Sequence, residues 1–183
     1  MAANGYVTEE EASEEELYNG GLSIRTTLDT TLQLAARRAL RDGLEVYDRR
    51  HGYHGALTQI ELGEGWVDRL AEVDIPRDMD EGWIPALVLA SGDSEARIGL
   101  LNGEEGRIEL SELSWARESL GDGAMGPAIS RASTVLSPGD VIIVEALPET
   151  EDEYGLRQVP AINGGLLAMD PHTGRVLAMV GGY

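Results

Sequence analysis

The sequence predicts a mainly β chain with some helix, an α+β protein built around a five-stranded barrel. Three observations carry that expectation. Between residues 83 and 160 the chain breaks into short aliphatic runs divided by turn signals: Ser91-Gly92-Asp93-Ser94, Asn102-Gly103, Ser137-Pro138-Gly139-Asp140 and the acidic stretch 148–153. The runs come as three, then a longer irregular or helical stretch at residues 111–136, then two, which is the strand order of an OB-fold barrel. The flanks differ in texture: a helical pattern over residues 29–48 and an apolar hairpin pattern over 164–183 read as a small strand-helix-hairpin unit, beside which the barrel is inserted.

In chain order, residues 1–20 are acidic, with six Glu between Glu9 and Glu16. Thr8 and Glu11 have capping-box spacing for a short helix, and a linker fits equally well. Residues 22–28, rich in Thr and branched side chains, read as a strand. A helix starts at Asp29 or Thr30, where Thr30 and Gln33 again have capping-box spacing. Leu32, Ala36, Leu40, Leu44 and Tyr47 form its apolar stripe, which leaves Gln33, Arg37, Arg41, Glu45 and Asp48 for water. Gly52 and Gly55 stop the helix, and Arg49, Arg50 and Tyr53 are expected to pin its end to a neighbouring domain. His51 and His54 have a spacing that suits a metal on a helix, but Gly52 argues against a helix there and no Cys or third His is near, so no metal is expected. Residues 66–73 read as a short helix closed by Asp74-Ile75-Pro76.

The barrel strands are expected at residues 84–90, 96–101, 107–110, 141–147 and 154–159. The last stretch holds two apolar runs, 166–169 and 176–180, around Asp170-Pro171-His172-Thr173-Gly174. Asp170 suits the first position of a type I turn, Pro171 presets the second, and Gly174 closes the hairpin with a bulge. Neither run alternates with polar residues, so both strands call for cover on both faces. Residues 23–27 are expected to pair antiparallel with residues 176–180, with the first helix over one face.

Charge excludes some functions. Fourteen Arg and no Lys against 33 acidic residues give a net charge of −19. Such a surface repels nucleic acid and anionic lipid. With no Lys there is no Ser-x-x-Lys nucleophile and no Lys-Thr-Gly strand. No Gly-x-Ser-x-Gly, phosphate loop or His-Glu-x-x-His is present, and no cofactor is expected. The chain reads as non-catalytic. No run approaches the apolar length of a membrane span.

The closing stretch Gly164 to Tyr183, together with Gly21-Leu22-Ser23-Ile24-Arg25-Thr26-Thr27-Leu28-Asp29, resembles the class A penicillin-binding proteins. Tyr47-Asp48-Arg49-Arg50-His51-Gly52-Tyr53-His54-Gly55 and Leu156-Arg157-Gln158-Val159-Pro160 also fit that family. These are bifunctional peptidoglycan synthases with a glycosyltransferase and a transpeptidase domain. The resemblance implies four parts: residues 1–20 as a linker or tail from the glycosyltransferase side, 21–55 as a strand-helix linker on the transpeptidase side, 56–163 as an OB-like domain, and 164–183 as the first transpeptidase hairpin. It implies a periplasmic location in an inner-membrane-anchored protein. It also implies contact with the neighbouring transpeptidase domain and docking of protein partners of cell-wall synthesis, of which an outer-membrane lipoprotein activator is one type.

Within that reading the docking surface is expected on the long stretch between the third and fourth barrel strands. Trp115, Arg117, Met125 and Arg131 are its candidate partner-binding residues, because loops on a rigid barrel are where recognition usually resides. The competing reading of Trp115 is a plug in the open end of the barrel. An RNA-binding OB module is the alternative function. It asks for aromatic platforms in a basic groove, and the barrel segment offers only Trp83, Trp115 and Tyr154 among many acids.

Overall fold

Burial on two faces rather than one separates the central strands from the outer ones. The computed structural model describes residues 25–183 apart from Asp122 and Glu149. The elements are α1 (Thr30–Arg49), β1 (Thr58–Gln59), α2 (Trp66–Ala71), β2 (Trp83–Ser91), β3 (Glu95–Leu100), β4 (Glu105–Glu109) and α3 (Leu110–Leu113). A 3-10 turn (Ala132–Thr134), β5 (Asp140–Ala146), β6 (Tyr154–Arg157), β7 (Gly165–Met169) and β8 (Val176–Gly181) follow. β3 and β4 alternate: Ala96, Ile98 and Ile108 point inward while Arg97 and Arg107 face solvent. β2 and β5 do not alternate, because Leu87 and Val141 on their outer face pack with Leu70 of α2 into a second core.

All pairings between named strands are antiparallel. β2 lies between β3 and β5, β4 follows β3, and β1 and β6 divide the outer edge of β5. The circuit then returns on itself. The Arg107 amide of β4 donates to the Asp152 carbonyl at 2.8 Å, and Arg107 forms a parallel bridge with Glu153, the residue just before β6. Its guanidinium also pairs with the Glu153 carboxylate at 2.5 Å. Strand order β6-β5-β2-β3-β4 with a parallel return is the OB circuit, so the expected α+β, OB-like architecture is present. The interior is filled by Val88, Ile98, Ile108, Ile142, Val144 and Leu156, all essentially without solvent exposure, and Leu113 and Leu136 close one end.

Strand boundaries fall within a few residues of those read from sequence, but β1 was not expected. It is only two residues long, and its hold comes from a side chain: Gln59 Nε2 donates to the buried Asp140 carboxylate at 2.7 Å. The other oxygen of Asp140 accepts the Ser137 amide at 2.7 Å and so closes the Ser137–Asp140 turn.

The helix-hairpin unit corrects the reading of α1. Its N-cap is Asp29, which accepts from the Thr31 and Leu32 amides at 2.9 and 3.0 Å. Gln33 makes no capping box; its amide grips β8 instead, donating to the Met179 carbonyl and accepting the Met179 amide, both at 3.0 Å. Ala36 and Leu44 are buried as expected, but Leu32 and Tyr47 are exposed, and Gln33, Arg41, Glu45 and Asp48 turn toward the protein rather than to water. The inward face is rotated toward its polar members because the hairpin and the barrel loops offer backbone groups to bond.

The chain before the helix also differs from expectation. Residues 22–24 lie outside the described residues, as does the capping box suggested at Thr8. Residues 25–28 are not a strand. They reach β8 through the Thr27 hydroxyl, which donates to the Val176 carbonyl at 2.5 Å, and the Asp29 amide, which donates to the Leu177 carbonyl at 2.8 Å. A side-chain bond thus stands where a ladder bond was expected. The hairpin turn forms as read. Asp170 accepts from the Thr173 hydroxyl and the His172 amide, which holds its carboxyl below the usual range; Gly174 sits at φ +70°, and the bulge falls further along β8, at Leu177.

One packing contact tests this arrangement. Trp66 lies flat over Gly99 of β3, so closely that an added Cβ would enter the indole ring. Gly99→Ala should displace Trp66 and cost about 1–3 kcal/mol as overpacking does. Urea unfolding, with the near-ultraviolet Trp signal followed in parallel, reads both effects. A variant as stable as the parent with an unchanged Trp signal would show that the ring is not packed there.

Candidate docking groove

A buried carboxylate organises the region where the helix, the barrel and the hairpin unit meet. Asp48, in the last turn of α1, is 2% exposed. It survives burial because donors from three directions surround it. Gln158 Nε2, beyond β6, donates at 2.6 Å, and the Ala161 amide donates at 3.2 Å. His54 Nε2 lies 3.1 and 3.2 Å from its two oxygens. Gln158 spreads the contact by donating also to the Gly52 carbonyl at 3.0 Å and accepting the His54 amide at 3.1 Å. One carboxyl thereby ties the helix end, the 50s loop and the segment leaving the barrel.

Arg49, one residue on, stacks its guanidinium 5.0 Å from the Trp115 ring centroid, and Trp115 meets Tyr53 edge-on at 6.0 Å. Burial, with Arg157 nearby, lowers the Arg49 guanidinium from its ordinary value. Tyr53 is itself in the barrel core, and burial pushes its phenol up. Its amide donates to the Arg117 carbonyl at 2.7 Å, so the 50s loop and the 115–119 segment run side by side. The Arg117 guanidinium folds back on the Gly126 carbonyl, with Nε at 2.7 Å.

A second joint lies across the helix. Arg41 donates to the Asp78 carbonyl at 2.6 Å, pairs with Asp80 at 3.1 Å and stacks 4.4 Å from the Tyr183 ring centroid. The Tyr183 hydroxyl donates to Glu45 at 3.0 Å. Burial holds the Glu45 carboxyl above its usual range, against the pull of that hydrogen bond. The loop before β2 and Tyr183, two residues beyond β8, are thus held by one arginine.

Between the 50s loop and the 116–135 stretch runs an open groove of about 1000 Å³, floored and walled by Tyr53, Ala116, Pro127, Ile129 and Val135 among others. The candidate residues distribute around it unevenly. Trp115 and Arg117 are half-buried and turned to internal contacts, Trp115 through its ring and Arg117 through its guanidinium, while the buried Trp115 indole N–H finds no partner among the described residues. The Trp115 indole packs against the barrel core as a plug would. Met125 is half-buried in a bridge with Ser119, and Arg131 is exposed at the far end of the stretch. Arg49 and Tyr53 join the Trp115 cluster, while Arg50 is exposed and takes no part in it. His51 stacks on Tyr47 at 4.3 Å and lies outside the cluster. Residues 128–130 fall within the stretch that sequence reading gave to docking, whereas the joint of Gln158 and His54 with Asp48 was missed. The available signal was a polar Gln just after a barrel strand.

Comparison with known proteins places this geometry. A family model for the penicillin-binding protein OB-like domain matches residues 53–162. Penicillin-binding protein 1A of Rickettsia typhi is 43% identical over 171 residues, 93% of this chain and 20% of that protein. The Vibrio cholerae protein of the same name is 33% identical over 181 residues, 95% of this chain and 22% of its own length. A crystal structure of penicillin-binding protein 1A from Haemophilus influenzae superimposes with a TM-score of 0.62 at 26% identity, covering 94% of this chain and 24% of that one. The chain spans about a fifth of the length of the curated relatives it matches.

The buried carboxylate gives a direct prediction. Asp48→Ala strands the Ala161 amide and one Gln158 bond in a dry site and should cost about 3 kcal/mol. His54→Ala removes only a partly exposed partner and should cost about 1 kcal/mol or less. Denaturant midpoints measure both, and equal losses would place the hold of this joint elsewhere.

Proposed function

The chain belongs to the family of penicillin-binding protein OB-like domains, and from that premise we propose that it is the non-catalytic docking and positioning module of a peptidoglycan synthase. The parent would carry glycosyltransferase and D,D-transpeptidase activities on other segments. This chain, with no Lys, has no Ser-x-x-Lys of its own. No helix among the described residues is long and apolar enough to cross a membrane. The parent's anchor would lie elsewhere, with this module in the periplasm.

One observation carries the positioning half. Among the described residues the hairpin is covered by α1 on one face, and the side chains of the other face are exposed. Leu167 and Met179, direct cross-strand partners, are 53% and 66% exposed, and Met169 beside them is 52% exposed. Residues 164–183 therefore present an apolar sheet face of the kind a neighbouring domain covers. In the relatives' context that neighbour is the transpeptidase. The Asp48 and Arg41 joints then set the barrel rigidly against this strand pair. The docking half rests on the groove beside residues 127–130. Trp115 and Arg117 lie behind its wall, on either side of the lining residue Ala116, and Met125 and Arg131 stand along the same stretch. Nucleic acid is a poorer occupant, since a chain of net charge −19 gains nothing from counterion release.

Leu167→Thr combined with Met179→Thr should leave the isolated chain within about 0.5 kcal/mol of its parent, as exposed substitutions do. In the full-length synthase the same pair should destabilise the transpeptidase by about 1.5–3 kcal/mol per side chain and slow its acylation by a fluorescent penicillin. Indifference of the full-length protein would mean that the face is not covered by that domain.

Docking is tested by competition. Secreted into the periplasm of a cell that depends on the full-length synthase, the isolated chain should depress incorporation of a fluorescent D-amino acid. A chain with residues 127–130 replaced by Gly-Ser-Gly-Ser should not. Equal effects of the two chains would remove this stretch from any docking role.

A further inference from the structure

The groove is bordered by backbone that has nothing to bond. Residues 127–131 carry no helix or strand assignment, and Arg131 is extended at φ −147° and ψ 141°. Among the described residues, Ala128, Ile129 and Ser130 use neither their N–H nor their C=O in any hydrogen bond, whereas Gly126 before them and Arg131 after them are each held by at least one. Gly126 binds Glu118 and Arg117, and Arg131 accepts from Thr134. Across the groove, Gly55 is equally free of backbone partners among the described residues. Ile129 is half-buried between exposed Ala128 and Ser130, the in-and-out pattern of a strand lacking its neighbour.

The lining says which chain would fit. Ala116, Gly121, Pro127, Ala128, Ile129 and Val135 are small or apolar, and the one carboxylate among the described lining residues is Glu118, which is exposed. Among the described residues no Arg lines the groove, and the one basic side chain there, His54, is turned to Asp48. A second copy of this chain, at net charge −19, is repelled from it. The chain's own residues 9–16, with six Glu, carry the wrong sign as well.

We propose that the groove takes an extended, basic segment of a partner protein by strand addition to residues 128–130. Main-chain bonds supply the affinity, alternate side chains meet Ile129 and Val135, and a cationic side chain lies beside Glu118. This rests on the docking reading and specifies its mode.

The test uses the full 183-residue chain, labelled with nitrogen-15. Three synthetic octapeptides are titrated: Ser-Val-Arg-Val-Thr-Val-Arg-Ser, the same peptide with Glu for Arg, and the Arg peptide N-methylated at alternate residues. The Arg peptide should give saturable shifts at the amides of Gly55, Ala128, Ile129 and Ser130 and slow the exchange of the last three. The Glu peptide should bind at least about tenfold more weakly, as like charge opposes like. The N-methylated peptide, unable to complete the ladder, should lose binding by a similar factor. Ser130→Arg, an exposed change, should weaken the Arg peptide several-fold with the unfolding midpoint unmoved.

Equal binding of the Arg and Glu peptides, unimpaired binding of the N-methylated one, shifts confined to other residues, or no binding at all would each overturn strand addition. If the peptides fail while the secreted chain still inhibits wall synthesis through residues 127–130, docking stands and only its mode falls. If the secreted chain fails while the peptides bind as described, the groove is a strand acceptor without that role in wall synthesis.

Discussion

A single buried carboxylate holds the two halves of this molecule in register. Asp48 leaves water at the end of α1 and is repaid only if Gln158, Ala161 and His54 all arrive. Those groups come from segments that enter and leave the barrel, so the barrel has to sit in one orientation for the charge to be satisfied. A hydrophobic contact in the same place would tolerate sliding. A buried carboxylate with fixed donors does not, because a shift of an ångström or two strands at least one partner in a dry site. The Arg41 joint adds a second point of attachment across the same helix, and two separated points remove the rotation that one would leave.

This division of labour leaves the barrel free to be ordinary inside. Its interior is aliphatic and its polar demands are met at the rims, by Asp140 in the turn before β5 and by Arg107 where the circuit returns on itself. The stretch between β4 and β5 is then held only at intervals. Arg117 pins it at Gly126 and the 3-10 turn pins it at Ala132, and between those pins the backbone runs unpaired beside an open groove. Rigidity at the joints and vacancy at the groove are what a module requires if it both holds a neighbour in place and receives another protein.

The hairpin has the opposite character. Its turn is tightly determined by Asp170 and Gly174, yet among the described residues it is a two-stranded sheet with one face on α1 and exposed side chains on the other. Gln33 shows how the bond to the helix is made: a side-chain amide pairs with the Met179 backbone as another strand would. The unit thus leaves the apolar side chains of Leu167, Met169 and Met179 exposed on one sheet face, which is the observation behind the proposed contact with a neighbouring domain.

Local chemistry was enough for the sequence alone to determine the turns, the strand order and the family. Gly103, Gly139 and Gly174 mark reversals that few other residues tolerate, and the three-then-two order of strands leaves little besides an OB circuit. The unbroken runs of the hairpin called for cover on both faces, and α1 supplies it on one, while Leu167, Met169 and Met179 stay exposed on the other. The inward face of α1 was not legible, because a helix wheel ranks residues by polarity and takes no account of where hydrogen-bonding partners will be. Only the tertiary structure brought Gln158 and Ala161 to Asp48 across more than a hundred residues, turned Arg117 inward onto Gly126, and left residues 128–130 unpaired beside the groove. Periodicity records what a side chain prefers on average, whereas a buried charge or an unpaired strand edge exists only relative to groups that folding delivers from elsewhere in the chain.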